Sequence, residues 1–180
     1  MAGAIVKGMF KLRRPAYRAV IIVHVAASVA WLGLSLCLLV LGVWATTTQA
    51  PAEQYAAGTA MSTLAGTLAI PFGAIALVSG IVLMLGTKWS LAYTWVAVKL
   101  VATAIAFALT VFSLRPGLAA TAASLDPASL QVLDSQILAA PIVSSAIYLG
   151  AVVLSYVKPW GRRRAALGRA RVPAPARSAR

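Results

Sequence analysis

The chain has 180 residues, of which 61% are hydrophobic and only 11% charged. Soluble domains carry about 25% charged residues, so the composition excludes an ordinary water-soluble fold and points to a membrane protein. The net charge of +13 raises nucleic-acid binding, but the basic residues are segregated along the chain and no aromatic-interleaved basic groove accompanies them; no nucleic-acid partner is expected.

Residues 1–18 form a basic segment. Lys7, Lys11, Arg14 and Arg18 fall at i, i+4, i+7 and i+11, one stripe, with Ile5, Val6, Met9 and Phe10 mostly off it. This spacing predicts a short interfacial helix, which Pro15 is expected to end or bend before the first span. The apolar run that follows exceeds the roughly 7–15 residues of a signal-peptide core. Pro51 also sits directly after the only small-residue site, "TQA", where it would hinder cleavage. The segment is therefore expected to be retained.

Four apolar runs follow. Ala19 to Trp44 has no formally charged residue, and Leu64 to Leu85 has none. Tyr93 to Leu114 contains only Lys99, and Ser135 to Val157 again has none. Each matches the ~20 residues that cross ~30 Å of hydrocarbon. The runs are continuously apolar and rich in Ala and Leu, which favours helices over the alternating pattern of membrane strands. The expected fold class is all-α: a four-helix transmembrane bundle, one domain over residues 19–160. The loop "SLDPASLQVLDSQ" is expected to hold a brief helix capped at Asp126 with Pro127 at its first position. Residues 161–180 form a basic tail rich in Arg, Ala and Pro, with little to bury and an expectation of disorder. The single cysteine, Cys37, lies mid-span and has no partner for an internal disulfide.

Charge sets the expected orientation. Lys7, Lys11, Arg13, Arg14 and Arg18 precede the first span, Lys88 joins the second to the third, and Lys158 with the Arg162-Arg163-Arg164 run follows the fourth. The other two loops carry Arg115 and all three acids, Glu53, Asp126 and Asp134. This asymmetry places both termini in the cytoplasm of a cell whose inner membrane holds the protein. The basic flanks attract anionic lipid head groups by roughly 1 kcal/mol per residue. Tyr17, Trp89, Tyr93, Tyr156 and Trp160 mark the expected cytoplasmic boundary, and Trp44 and Tyr55 the outer one. Trp31 and Tyr148 fall well inside their spans.

Polar residues within the spans share faces. His24, Ser28, Trp31 and Ser35 do so on the first; Gly66, Gly73 and Gly80 repeat every seven residues on the second, with Ser79 beside the last. Trp95, Lys99, Thr103 and Thr110 share a face of the third, and Pro141, Ser145, Tyr148 and Ser155 one of the fourth. Small and hydroxylated residues at such spacing serve helix packing in membranes, and packing explains most of them. His24, the only histidine, and Lys99 differ because each can carry charge. They lie about five and six residues from the same end of their spans, roughly 8–9 Å deep, with Ser79 comparable and Tyr148 slightly deeper. Two ordinary explanations exist: Lys99 snorkels to the interface, and a neutral His24 hydrogen-bonds a neighbouring helix. Against both, no carboxylate lies within any span, so an anionic ligand group or lipid phosphate is the natural partner of Lys99. Neutral imidazole is also an iron ligand.

"HVAASVAWLG" in the first span resembles the histidine-then-Trp-x-Gly opening of the HemJ-type and CopD-like four-helix membrane proteins. "IPFGAIALVSGIVLML" is similar to their second helix and "TWVAVKLVATA" to their third. "APIVSSAIYLGAVVLSYVKPWG" is similar to their fourth, which ends in Val-Lys-Pro-aromatic. The likeness runs through all four spans in order, roughly 130 residues, and is closer still to a bacterial domain-of-unknown-function group of the same superfamily. The resemblance implies that His24 ligates haem b iron and that Lys99 takes part in tetrapyrrole oxidation as a carboxylate or propionate clamp. Ser28, Ser79, Thr103 and Tyr148 would complete the cofactor-binding set. The family carries further histidines and this chain has none, so haem would need one protein ligand, a methionine such as Met84, or His24 from two subunits of a homo-oligomer. Three expectations follow: a tetrapyrrole-binding membrane protein, an oxidoreductase if it is an enzyme; an accessory or assembly subunit whose polar cluster only orders the helices; and, less favoured, a permeation protein, for which the chain lacks intramembrane acids and broken-helix pairs.

Overall fold

The computed structural model describes residues 12–86, 93–133 and 136–158, and all regular structure among them is helical. Four long apolar helices form the bundle: α1 Arg14–Thr47, α2 Pro51–Gly86, α3 Thr94–Ser124 and α4 Gln136–Val157. The expected four-helix all-α fold is what the chain adopts. The expected interfacial helix and the basic tail fall largely outside the described residues. Within them, Pro15 stands in the first turn of α1. Its missing N–H is harmless there, because the first turn's donors have no intrahelical acceptor.

Three helices outrun a bilayer. α1 has 34 residues, α2 36 and α3 31, so at 1.5 Å per residue they are about 45–55 Å long against ~30 Å of hydrocarbon. α4, with 22 residues, matches that thickness. In α2 and α3 the surplus falls at the end carrying Glu53 and Asp126, where the expected loops are instead helix. Thr48, Gln49 and Ala50 alone separate α1 from α2. The acid end of the bundle is thus a helical cap, not a set of loose loops.

Gln54 holds this cap together. Its buried side chain donates from Nε2 to Ala45 O (3.2 Å) and Gln131 O (2.9 Å), and its Oε1 accepts from Gln131 N–H (2.8 Å). By claiming the Gln131 backbone it ties the segment after α3 to α2. The helix expected after Asp126 does not form: Asp126 closes a turn instead, accepting from Ala128 N–H at 2.9 Å and from Ser129 Oγ at 3.1 Å. Aspartate bonds its neighbouring backbone as readily in turns as at helix caps.

Two π-helical turns interrupt the long helices, Ala65–Ala69 in α2 and Thr110–Leu114 in α3. Each stands just before a proline, Pro71 and Pro116. Proline cannot bond the carbonyl four residues back and its ring crowds it. Those carbonyls belong to Thr67 and Phe112, at the middle of each π turn, where the wider coil relieves the crowding.

The core runs along α1. Ala27, Trp31, Leu34 and Leu38 meet Met61, Ala65, Ala69 and Ala76 of α2, Ala106 and Leu118 of α3 and Tyr148 of α4. Two members of the seven-residue glycine repeat serve the α1–α2 contact. A Cβ on Gly73 would lie 2.7 Å from Trp31, and one on Gly80 3.1 Å from His24. Gly66 has no neighbour within 4 Å. The spacing of seven on α2 thus answers the spacing of seven between His24 and Trp31 on the antiparallel α1.

Candidate functional site

α1 packs against α2 and α4, and α3 packs against the same two helices, so α1 and α3 stand diagonally across the bundle. At the end where Arg14 starts α1 and Val157 ends α4, the diagonal is not filled. A cavity of about 500 Å³ lies there, lined by residues of all four helices, within the roughly 300–1,000 Å³ of small-molecule sites.

His24 lines the α1 wall. Its Nδ1 lies 3.0 Å from Ala76 O and 3.0 Å from Ser79 Oγ. A carbonyl only accepts, so Nδ1 carries the proton and donates to it. The Ser79 hydroxyl donates to Ile75 O at 2.5 Å, leaving its oxygen as the second acceptor for the same N–H. In the neutral ring this assigns the lone pair to Nε2. Metal-ligating histidines are held the same way, with one nitrogen bonded to a backbone carbonyl and the other left to the ligand. Gly80 admits the ring edge: Cε1 sits 3.1 Å from where a Cβ would be.

Lys99 lines the α3 wall, with Thr103 one turn deeper. Its Nζ donates to Ser155 Oγ of α4 at 2.7 Å, and that hydroxyl donates to Ala151 O at 2.8 Å. Lys158, just past α4, and Met84 of α2 also face the cavity. No carboxylate is among its lining residues; the described acids, Glu53 and Asp126, belong to the opposite end. The site is therefore an apolar chamber with one imidazole and two ammonium groups.

The structure brings His24, Lys99 and Thr103 together at the cavity and places Ser79 directly behind His24. Ser28 is half-buried and is not part of the lining. Tyr148 lies elsewhere, deeper in the bundle, with its ring 4.4 Å from that of Trp31 and tilted by 33°. Its buried hydroxyl lies on the Thr110 side without completing a hydrogen bond, and Thr110 Oγ1 itself donates to Ala106 O at 2.8 Å. Sequence reasoning missed Ser155 as the partner of Lys99, although it stood on the polar face of its span. It also counted Lys158 only among the flanking charges.

Among the described residues no group of three or more His, Cys, Asp or Glu side chains could hold a metal ion. No family model matches the chain, and neither does any curated protein or solved structure.

Proposed function

We propose that this four-helix membrane protein binds a tetrapyrrole, haem b in the first instance, in the cavity at its basic end. The observation that carries the reading is the tether of His24: Nδ1–H is committed to Ala76 O at 3.0 Å, which leaves Nε2 as an oriented donor on the wall of a largely apolar chamber. His24 would hold the iron, and Lys99, steadied by Ser155, would hold a carboxylate of the ligand; Thr103 adds a hydroxyl beside it. Bound haem would supply an iron centre that exchanges single electrons. Any second protein ligand to the iron would come from Met84, which also lines the cavity, or from His24 of a second copy. The basic end faces the cytoplasm in this reading, since Arg14, Arg18 and Lys158 flank it while Glu53 and Asp126 mark the other, and the membrane is the inner membrane.

The test is optical. The full chain, purified from cells supplied with ample haem, is expected to show a Soret band that His24→Ala abolishes while the variant stays monodisperse. A wild-type protein without absorbance, in cells and after haemin titration, would falsify the reading. A second reading has one observation in its favour: the His24 bonds to Ala76 and Ser79 also tie α1 to α2. In an accessory subunit that tie would be the whole role. His24→Leu and Lys99→Met would then leave an associated complex and its phenotype unchanged.

A further inference from the structure

Among the described residues that line the cavity, only Val25 and Lys158 are exposed. Lys158 lies past the end of α4, but Val25, 52% exposed, stands within the spanning helix α1. In a bilayer it touches the chamber on one side and lipid on the other. The gap it borders lies between α1 and α4. His24 bonds α2, and Val25, turned about 100° from it around the helix, stands on the side of Ser28, Leu32 and Ser35. Ser35 bonds Ser144 of α4. From within its helix α4 brings Ser155 to the lining, whereas α2 brings Ala76, Leu77, Gly80, Leu83 and Met84. The wall between α1 and α4 is thus the thin one. At its inner side Lys99 Nζ donates to Ser155 Oγ at 2.7 Å. An ammonium has three N–H donors, so this bond leaves Lys99 able to meet an acid group as well.

We infer that the cavity takes a long-chain carboxylate from the bilayer, its acid group on Lys99 and its hydrocarbon tail passing out beside Val25 into the surrounding lipid. Beside Lys99 the wall sets Thr103 and Ser155 among Ala76, Val96 and Leu100. A carboxylate ends its molecule there. A phosphodiester would bring a second polar substituent that aliphatic walls leave unpaired. The tail stays in an apolar surrounding throughout, so the acid group decides the binding. The inference goes beyond the tetrapyrrole reading and needs neither iron nor His24.

The experiment places the full chain in nanodiscs of zwitterionic lipid with palmitate carrying a 13C label in its carboxyl group, read by NMR. Wild type is expected to show a protein-bound carboxyl resonance apart from that of bilayer palmitate, and none with the labelled methyl ester. Lys99→Met should lose the bound resonance and Lys99→Arg keep it. Val25→Trp, whose ring fills the gap, should also lose it. Val29→Trp is the control: Val29 is 59% exposed and is not among the lining residues, so the resonance should persist. No bound resonance in wild type, one that survives Lys99→Met, or equal behaviour of the two tryptophan variants overturns the inference. Loss of the resonance in nanodiscs of phosphatidylglycerol would assign the site to a phospholipid and overturns it too.

Discussion

Replacing Gly73 by alanine tests the packing that positions the site. A Cβ there would lie 2.7 Å from Trp31 Cζ2, 2.7 Å from Phe107 Cδ2 and 3.0 Å from Trp31 Cε2. Neither ring is free to retreat: Trp31 is buried, lies against Tyr148 at 4.4 Å and meets Phe107 edge-on with centroids 6.1 Å apart. Overpacking of this kind costs about 1–3 kcal/mol, while alanine gains about 0.8–1 kcal/mol over glycine in helix propensity. The net expectation is a loss of roughly 0–2 kcal/mol. Gly150→Ala is the control, because nothing lies within 4 Å of its Cβ position and only the propensity gain remains, up to about 1 kcal/mol. Reversible unfolding of the full chain in a bilayer mimetic should separate the two variants by about 2 kcal/mol. Equal stability of Gly73→Ala and Gly150→Ala would refute the account of α2 as the helix that yields space to Trp31.

Three further variants probe other contacts. Gln54→Leu strands the Gln131 backbone and should cost about 1–3 kcal/mol, with faster amide exchange confined first to residues 125–133; unchanged exchange there would remove Gln54 as the clasp. Ser35→Ala breaks the α1–α4 bond to Ser144 Oγ at 2.5 Å, while Ser144 still reaches Pro141 O at 3.2 Å. The expected loss is about 0.5–1.5 kcal/mol, and a double variant with Ser144→Ala should be less than additive. Tyr148→Phe deletes a buried hydroxyl that completes no hydrogen bond, so stability should hold or rise; a loss above about 1 kcal/mol would mean that the hydroxyl has a partner.

The spans were legible because continuous apolarity over twenty residues has few other meanings. The common depth of His24 and Lys99 was legible from residue counts alone. The ends of the long helices were not. Residues 51–63 and 115–124 mix Glu, Gln, Arg, Thr and Gly with alanine, so they read as loops. Their helicity depends on tertiary burial of Ala57, Met61 and Leu118, which no local window shows. Tyr148 was misplaced relative to the cavity for a similar reason. Depth along one helix fixes a level in the membrane, but only packing decides which neighbour a ring meets, and here it meets Trp31. The tautomer of His24 likewise needed the position of a carbonyl on another helix.

The two ends of the bundle differ in how they are fastened. At the acid end the Gln54 clasp, the Ser35–Ser144 bond and the fully buried Leu38 and Met61 lock the helices. At the basic end the His24 tether and the Lys99–Ser155 bond join walls of the cavity. Local opening takes the least free energy where the fewest buried contacts and hydrogen bonds must break. Amide exchange is therefore expected to be faster among the described residues of the basic end than among those of the acid end.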